Sequence, residues 1–398
     1  MRIPTLTFSN KTMTNAVLGP EETTALSLFS ELEKYEHEQV IVCSDKKVGL
    51  RAIIAIHNTT LGPALGGARM WQYASDTDAL IDALRLSRGM TYKAAVSGLN
   101  LGGGKAVIIG NSKTDKNEAL FRTYGRFVEG LGGRYITAED VGTDVRDMEW
   151  VRMETKYVTG ISRALGGSGD PSPVTALGVY MGMKAACAER YGNDSLNKKK
   201  VVVQGAGHVA YHLCGYLRRE GAKVFVSDLF EEKARRIVTE YGAEFVHPDQ
   251  IYDVEANIFC PAALGGILND ETIPRLKVDI IAGPANNQLK DEAIHEQMLL
   301  DRGILYTPDF VINAGGLINV ANELEGYNQE RALSQAKEIY DVIKNILLTA
   351  KKMKTTANQA AIHLAEERLA KIGQIKQIYA GKSQYAGRLG EMNTRATA

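Results

Sequence analysis

No run in this sequence approaches the roughly 18 to 20 consecutive apolar residues of a membrane span, and the first residues lack the basic-then-apolar order of an export signal. Neither membrane insertion nor secretion is expected. Cysteine is scarce as well, with 4 in 398 residues, at positions 43, 187, 214 and 260, and no C-x-x-C pair. That spacing offers no disulfide framework and points to free thiols in a reducing compartment, the cytoplasm. An excess of one charge is also missing, because Lys+Arg 47 balances Asp+Glu 47. A chain without net charge has no long-range attraction for nucleic acid or an anionic membrane, so neither is an expected partner. What remains is ordinary globular material, 44% hydrophobic and 24% charged, and long enough for two domains.

The most informative stretch is Lys200 to Asp228, KVVVQGAGHVAYHLCGYLRREGAKVFVSD. A β-branched run meets Gly205, Ala206 and Gly207, then a helical segment opening with His208 and Val209, then a second apolar run ending at Asp228. This strand, glycine turn, helix and strand carry G-x-G-x-x-A, with the small Ala210 where a helix must pack closely on a strand. Gly205 permits the turn, Gly207 lets backbone approach a pyrophosphate, and the helix N-terminus receives the anion. Asp228 is placed to accept from the ribose hydroxyls and to repel a 2′-phosphate, so the expected cofactor is NAD. Strands at Asn257–Pro261, Val278–Gly283 and Ile304–Tyr306, alternating with helices such as Glu231–Tyr241, predict a doubly wound parallel sheet. Ala282–Leu289 and Asp309–Val320 read as glycine- and asparagine-rich strand ends, where such sheets bind ligands. Gln329–Met353 reads as one long amphipathic helix and Asn358–Ile372 as another.

The first half reads as a smaller mixed α/β sheet. Residues 1–20 carry no clear period; a helix is expected over Glu21–Tyr35, then strands at Gln39–Cys43 and Gly49–His57. Thr59–Arg69, TTLGPALGGAR, reads as a glycine-rich loop, followed by a helix from Asp76 to Thr91 that delivers Lys93. GLNLGGGKAVIIG, Gly98–Gly110, fails the phosphate-loop pattern because Leu99 and Ala106 stand where glycine and Ser or Thr are needed. It reads instead as a functional Lys105 at the mouth of a strand, against the plainer alternative of a solvent lysine after a flexible turn. Arg134–Thr143, RYITAEDVGT, delivers Glu139 and Asp140 to a strand end, and one acid near Lys105 is enough for proton traffic. GGSGDPSP, Gly166–Pro173, is the expected boundary between domains: 1–172 for substrate and oligomer contacts, 173–347 for NAD, 348–398 for a helix returning to the first domain plus a polar tail. His208 and His212 stand i, i+4 but lack a third ligand, so no metal is expected.

GPALGGARMW, RGMTYK, GLNLGGGKAVIIG, RYITAEDVGT, PSPVTALGVY, QGAGHVA, CPAALGGILND, GPANNQL and DFVINAGGLINVANEL together resemble, in order and spacing, the amino-acid dehydrogenases of the glutamate, leucine, phenylalanine and valine type. The likeness runs from about Glu31 to Leu369. It implies reversible oxidative deamination of a branched-chain L-amino acid to a 2-oxo acid and ammonia with NAD, and assembly as a homo-oligomer, an octamer favoured. It makes Lys93 the carboxylate-binding lysine, Lys105 the catalytic lysine and Asp140 a proton-transfer acid. It places Gly66, Gly67, Met90, Leu65, Ala138, Asn287, Leu317 and Val320 around the substrate, and Thr175, Asn287 and Asn313 beside the nicotinamide. Ala138 matches leucine-type members, whereas Leu317 matches some phenylalanine- and tryptophan-type members, so an aromatic substrate is the alternative.

Overall fold

The computed structural model describes residues 28–375. The N-terminal and tail expectations, and the first part of the helix expected over Glu21–Tyr35, lie outside them. That helix is seen as α1 (Leu28–Lys34). The first sheet consists of β1 (Gln39–Asp45), β2 (Leu50–Asn58), β3 (Ala64–Trp71), β4 (Gly102–Ile109) and β5 (Tyr135–Glu139), in the order β1-β2-β4-β3-β5. β1, β2 and β4 pair antiparallel in turn, while β3 runs parallel to β4 on one side and β5 on the other. With it go α2 (Asp76–Val96), α3 (Glu118–Glu129) and α4 (Val145–Arg152).

Alternation along the strands sorts their residues onto two faces. Ala64, Ala68 and Met70 of β3, Ala106 and Ile108 of β4 and Tyr135 of β5 pack with Phe121 and Tyr124 of α3. Val107 of β4 packs on the other side, with Ala79, Ala83 and Leu84 of α2. The same alternation puts Gly103 and Lys105 on that α2 face. α2 starts where the Ser75 side chain accepts from the Asp78 N–H, has Asp76 and Asp78 in its first turn and Lys93 in its last, and so suits its own dipole. It runs past Thr91 to Val96, so Met90 and Lys93 sit on the helix itself.

Two glycine-rich segments fold differently from their composition. The second part of Thr59–Arg69 is not a loop but β3, in the interior of the sheet, and the glycines at 102–104 lie inside β4 rather than ahead of it. The reason is close approach. A Cβ on Gly66 would stand 1.7 Å from the Gly104 carbonyl oxygen, and one on Gly103 2.2 Å from the Thr91 amide nitrogen of α2. Side chains are excluded there by the protein itself.

The second sheet is β6 (Lys200–Gln204), β7 (Lys223–Ser227), β8 (Glu244–Phe245), β9 (Ile258–Pro261), β10 (Ile280–Ile281) and β11 (Leu305–Tyr306). Its order is β11-β10-β9-β6-β7-β8 and every pairing is parallel. The order reverses at β6, which opens a crevice beyond the carboxyl ends of β6 and β9. Val201, Val203 and Val226 face one core and Val202, Phe259 and Ile281 the other, which is why these strands read as unbroken apolar runs. Around them lie α5 (Ser172–Tyr191), α6 (His208–Arg219), α7 (Glu231–Tyr241), α8 (Glu292–Asp301), α9 (Asp309–Ile312), α10 (Gly315–Ala321), α11 (Gln329–Lys337), α12 (Ile339–Met353) and α13 (Ala357–Gly373).

Asp309–Val320, expected as a strand end, is therefore two helices. Pro308 precedes the first, and Gly315 lets α10 cross α5, since a Cβ there would meet the Val174 carbonyl oxygen at 2.5 Å. The single helix expected over Gln329–Met353 is divided at Glu338 into α11 and α12. α13 packs back against α2: the Arg368 guanidinium donates to the carbonyls of Ala95 and Leu99, each at 2.8 Å, and so caps the carboxyl end of α2.

Candidate active site

Because β3, β4 and β5 are neighbours, alternation brings Arg69, Lys105 and Asp140 together. Lys105 is 5% exposed, and its Nζ lies 2.9 Å from Asp140 Oδ2. It is not the solvent lysine of a flexible turn. The same oxygen accepts from Arg69 Nε, also at 2.9 Å. Burial pushes the Asp140 carboxyl up, but the charges and hydrogen bonds of Lys105 and Arg69 outweigh that and hold it at about 2. Of the two acids left open by the sequence, Asp140 is the one that meets the lysine. Glu139 is instead pushed up to about 7 by burial and by the nearby carboxylates of Asp170 and Asp144.

Lys93 comes from the last turn of α2. Burial lowers its ammonium to about 8, with the Lys105 cation adding to the effect and Asp309 and Asp140 opposing it. Asp309, at the start of α9 in the second half, is itself raised to about 6 by burial, although it accepts the Gln288 N–H at 2.8 Å and feels Lys93. Lys93, Lys105, Asp140 and Asp309 thus come together between the halves, Lys105 buried and the other three half-buried. An α-amino acid carries a carboxylate for a lysine and an amine whose chemistry needs a base, and this set can serve both.

Beside it lies an apolar cluster in which Leu65 of β3 and Met90 of α2 meet Leu317 and Val320 of α10. Ala94, Leu101, Ile136 and Leu324 are buried with them, none of the four being singled out by sequence, and Leu99, Tyr157 and Ala321 pack against the cluster. Ala138, 5% exposed, is two residues beyond Ile136 on β5 and so shares its face. Gly67 lies opposite Ala138 in the sheet register, and a Cβ on it would stand 2.4 Å from the Glu139 carbonyl oxygen. Gly66 and Gly67 thus keep β3 close to its neighbours.

The nucleotide turn sits at the switch point. Gly205 has φ 111, a left-handed value that favours glycine. Gly207 opens α6, and a Cβ there would meet nothing within 4 Å. No side chain caps α6, so the amides around His208 and Val209 remain available to an anion. The Asp228 carboxylate accepts the Ala206 N–H at 2.7 Å and the Phe230 N–H at 2.8 Å, which fixes it across the turn with lone pairs to spare. Asn313 is 5% exposed; its Nδ2 donates to the Pro284 carbonyl at 3.0 Å, while its Oδ1 is buried with no partner among the described residues. A carboxamide N–H₂ would satisfy that acceptor, so these residues fit a nicotinamide dinucleotide. Thr175, 8% exposed on α5, lies where a Cβ on Gly316 of α10 would be 3.1 Å from its Oγ1. Asn287 is exposed, with φ 51.

Arg69, Asp82 and Asp309 were missed by the sequence reading. For Arg69 a signal existed, since it is i+2 from Gly67 and i+4 from Leu65, but reading the segment as a loop hid that alternation.

A parallel sheet with an uncapped, anion-ready turn, joined to a mixed sheet whose β4 holds Lys105 and whose helix α2 holds Lys93, defines an enzyme class that brings a dinucleotide to a substrate held elsewhere. Two family models match: "Glu/Leu/Phe/Val dehydrogenase, dimerisation domain" over residues 37–157, and "Glutamate/Leucine/Phenylalanine/Valine dehydrogenase" over 166–229 and 226–377. The chain is 61% identical over 344 residues to a leucine dehydrogenase of Thermoactinomyces intermedius, covering 86% of this chain and 94% of that one. It is 59% identical, with the same coverage, to a leucine dehydrogenase of Geobacillus stearothermophilus. Among solved structures, L-tryptophan dehydrogenase from Nostoc punctiforme matches with a TM-score of 0.78 and 48% identity, covering 87% of this chain and 100% of that one. The chain belongs to the glutamate, leucine, phenylalanine and valine dehydrogenase family. It is an amino-acid dehydrogenase, using a nicotinamide cofactor for oxidative deamination.

Proposed function

We propose that this dehydrogenase acts on branched-chain L-amino acids, L-leucine first with L-isoleucine and L-valine beside it, and uses NAD. The observation that carries the reading is the cluster of Leu65, Met90, Leu317 and Val320 next to Lys93 and Lys105, four apolar side chains that offer no charge or amide to a polar substrate, with Tyr157 packed against them as the cluster's one hydroxyl. The leucine dehydrogenases at 61% and 59% identity support it.

In this reading Lys93 binds the substrate carboxylate and so orients Cα. Bound NAD supplies the hydride acceptor for that carbon, leaving an iminium on the substrate. Lys105, as a neutral amine, takes a proton from the water that attacks the iminium carbon and returns it to the substrate nitrogen. That nitrogen leaves as ammonia as the C–N bond breaks and the new hydroxyl gives up its proton to form the oxo group. Asp140, held as a carboxylate, fixes the Lys105 amine and stabilises the ammonium that forms, and proton transfer passes through that pair. Asn313 and Thr175 position the nicotinamide, and the uncapped end of α6 receives the pyrophosphate. Asp228 accepts from the ribose, and no Arg or Lys occurs over Leu229–Glu232 to receive a 2′-phosphate.

The test is kcat/KM for leucine, isoleucine, valine, phenylalanine and tryptophan, each with NAD and with NADP. The three aliphatic substrates should fall within about 200-fold of one another, ahead of both aromatics, and NAD should be preferred. An aromatic ahead of leucine would move the protein to the phenylalanine or tryptophan reading, for which the likeness to L-tryptophan dehydrogenase and the identity of Leu317 argue, although the bulk of Leu317 shrinks the pocket and argues against a ring. Comparable NADP activity would remove Asp228 from its role.

We also propose the division into 1–172, 173–347 and 348–398, supported by α13 packing on α2, and a homo-octamer built through the first domain, to be weighed by light scattering. The cytoplasm is the proposed location, consistent with free, buried cysteines at 43, 187, 214 and 260.

A further inference from the structure

Lys105 is the near end of a hydrogen-bonded chain. Tyr73 Oη donates to Asp82 Oδ2 at 2.6 Å, Arg69 Nη1 donates to that same oxygen at 3.0 Å, and Arg69 Nε and Lys105 Nζ converge at 2.9 Å each on Asp140 Oδ2. Arg69, Tyr73 and Asp82 also border a cavity of about 440 Å³ together with Trp71, Arg85 and Val141. None of the three belongs to the apolar cluster that would hold the substrate side chain. We propose that Arg69, held by Asp82, is a positioning residue that shares one oxygen of Asp140 with Lys105 and thereby sets how firmly the lysine keeps its proton.

With Arg69 present, Asp140 divides its negative charge between two cations. Neutralising Arg69 leaves the whole carboxylate to Lys105, favours the ammonium and moves to higher pH the point at which the amine can act as a base. Asp82 works the other way, because it draws Arg69 toward itself and adds a negative charge of its own. Neutralising Asp82 commits Arg69 to Asp140 and disfavours the ammonium. Lys93 from α2, Glu139 beside Asp140 in the chain and Asp309 from the second half also act on the group, Arg85 and Asp78 of α2 border the same cavity as Arg69 and Asp82, and all of them are the same in every variant. Had Arg69 merely stapled β3 to α2, its loss would lower stability or kcat without a directed change in pH dependence.

The proposal rests on Lys105 as the base. Its test is the pH profile of kcat/KM for deamination in full-length Arg69→Gln, Arg69→Lys, Asp82→Asn and Lys105→Ala. The acidic limb should move up by about one unit in Arg69→Gln, down by about half a unit in Asp82→Asn, and stay near its native position in Arg69→Lys, which keeps the charge. A limb that stays put in both neutralised variants, or moves the same way in both, overturns the proposal. If Arg69→Gln does not fold, Asp82→Asn decides alone, and no downward movement overturns it. A limb that persists in Lys105→Ala removes the base itself and the proposal with it. A limb that vanishes in Lys105→Ala but does not move in the other variants defeats the role of Arg69 only.

Discussion

In β3 and β4 a methyl group on Gly66 would stand 1.7 Å from one backbone oxygen, and one on Gly103 2.2 Å from a backbone nitrogen, whereas a methyl group on Gly207 would meet nothing within 4 Å. The first two glycines let the protein pack against itself, which draws α2 and β3 onto β4, with β5 on the far side of β3, and so gathers Lys93, Lys105 and Asp140. The third keeps space for something that is not protein. In sequence all three belong to similar glycine-rich stretches. What separates them is whether the emptiness is already filled, and that decides what each substitution does.

The sharpest contrast is in stability. Gly66→Ala should cost about 4 kcal/mol or more, since backbone must move to admit the methyl group, while Gly207→Ala, at φ −72, should lie within about 0.5 kcal/mol of the native protein. Urea unfolding of the two variants measures this, and equal losses would break the comparison. Cofactor affinity should show the reverse: Gly207→Ala should weaken NAD binding by about 5- to 150-fold, the steric penalty for a methyl group being roughly 1 to 3 kcal/mol. Fluorescence titration checks it.

In the apolar cluster, Ala138→Gly should raise the ratio of kcat/KM for phenylalanine over leucine by about tenfold, the worth of one small group in such a pocket. An unchanged ratio would take Ala138 out of the pocket. The smallest effect concerns Lys93. Its ammonium, lowered to about 8, is charged below that pH and loses its charge above it, so the KM for the amino acid should rise by roughly fivefold between pH 8 and pH 9 as the protonated fraction falls. A KM flat across that range would mean that Lys93 does not hold the carboxylate.

The parallel sheet was legible because β6, β7, β9 and β10 are buried on both faces and show as apolar runs, and because the turn at Gly205–Gly207 follows a strand and opens a helix. The lysines and Asp140 stood out through their motifs. Composition misled at Thr59–Arg69, where glycine reads as a loop, and at Asp309–Val320, where it reads as a strand end; in both it serves an element, β3 or α10, through contacts remote in sequence: Gly66 with Gly104, Gly315 with Val174. Arg69 and Asp309 stayed hidden for a related reason. Each matters through a partner on another element, Asp140 for the one and Lys93 for the other, and no local spacing records such a meeting.

At the centre of the account is Lys105 as the base in one half, acting on a cofactor held by the other. Turnover of Lys105→Ala across the pH range, with NAD affinity measured on the same preparation, tests this most directly. The account predicts that kcat falls by about 10²- to 10⁴-fold while NAD binds as it does to the unsubstituted enzyme; near-normal turnover at any pH would contradict it.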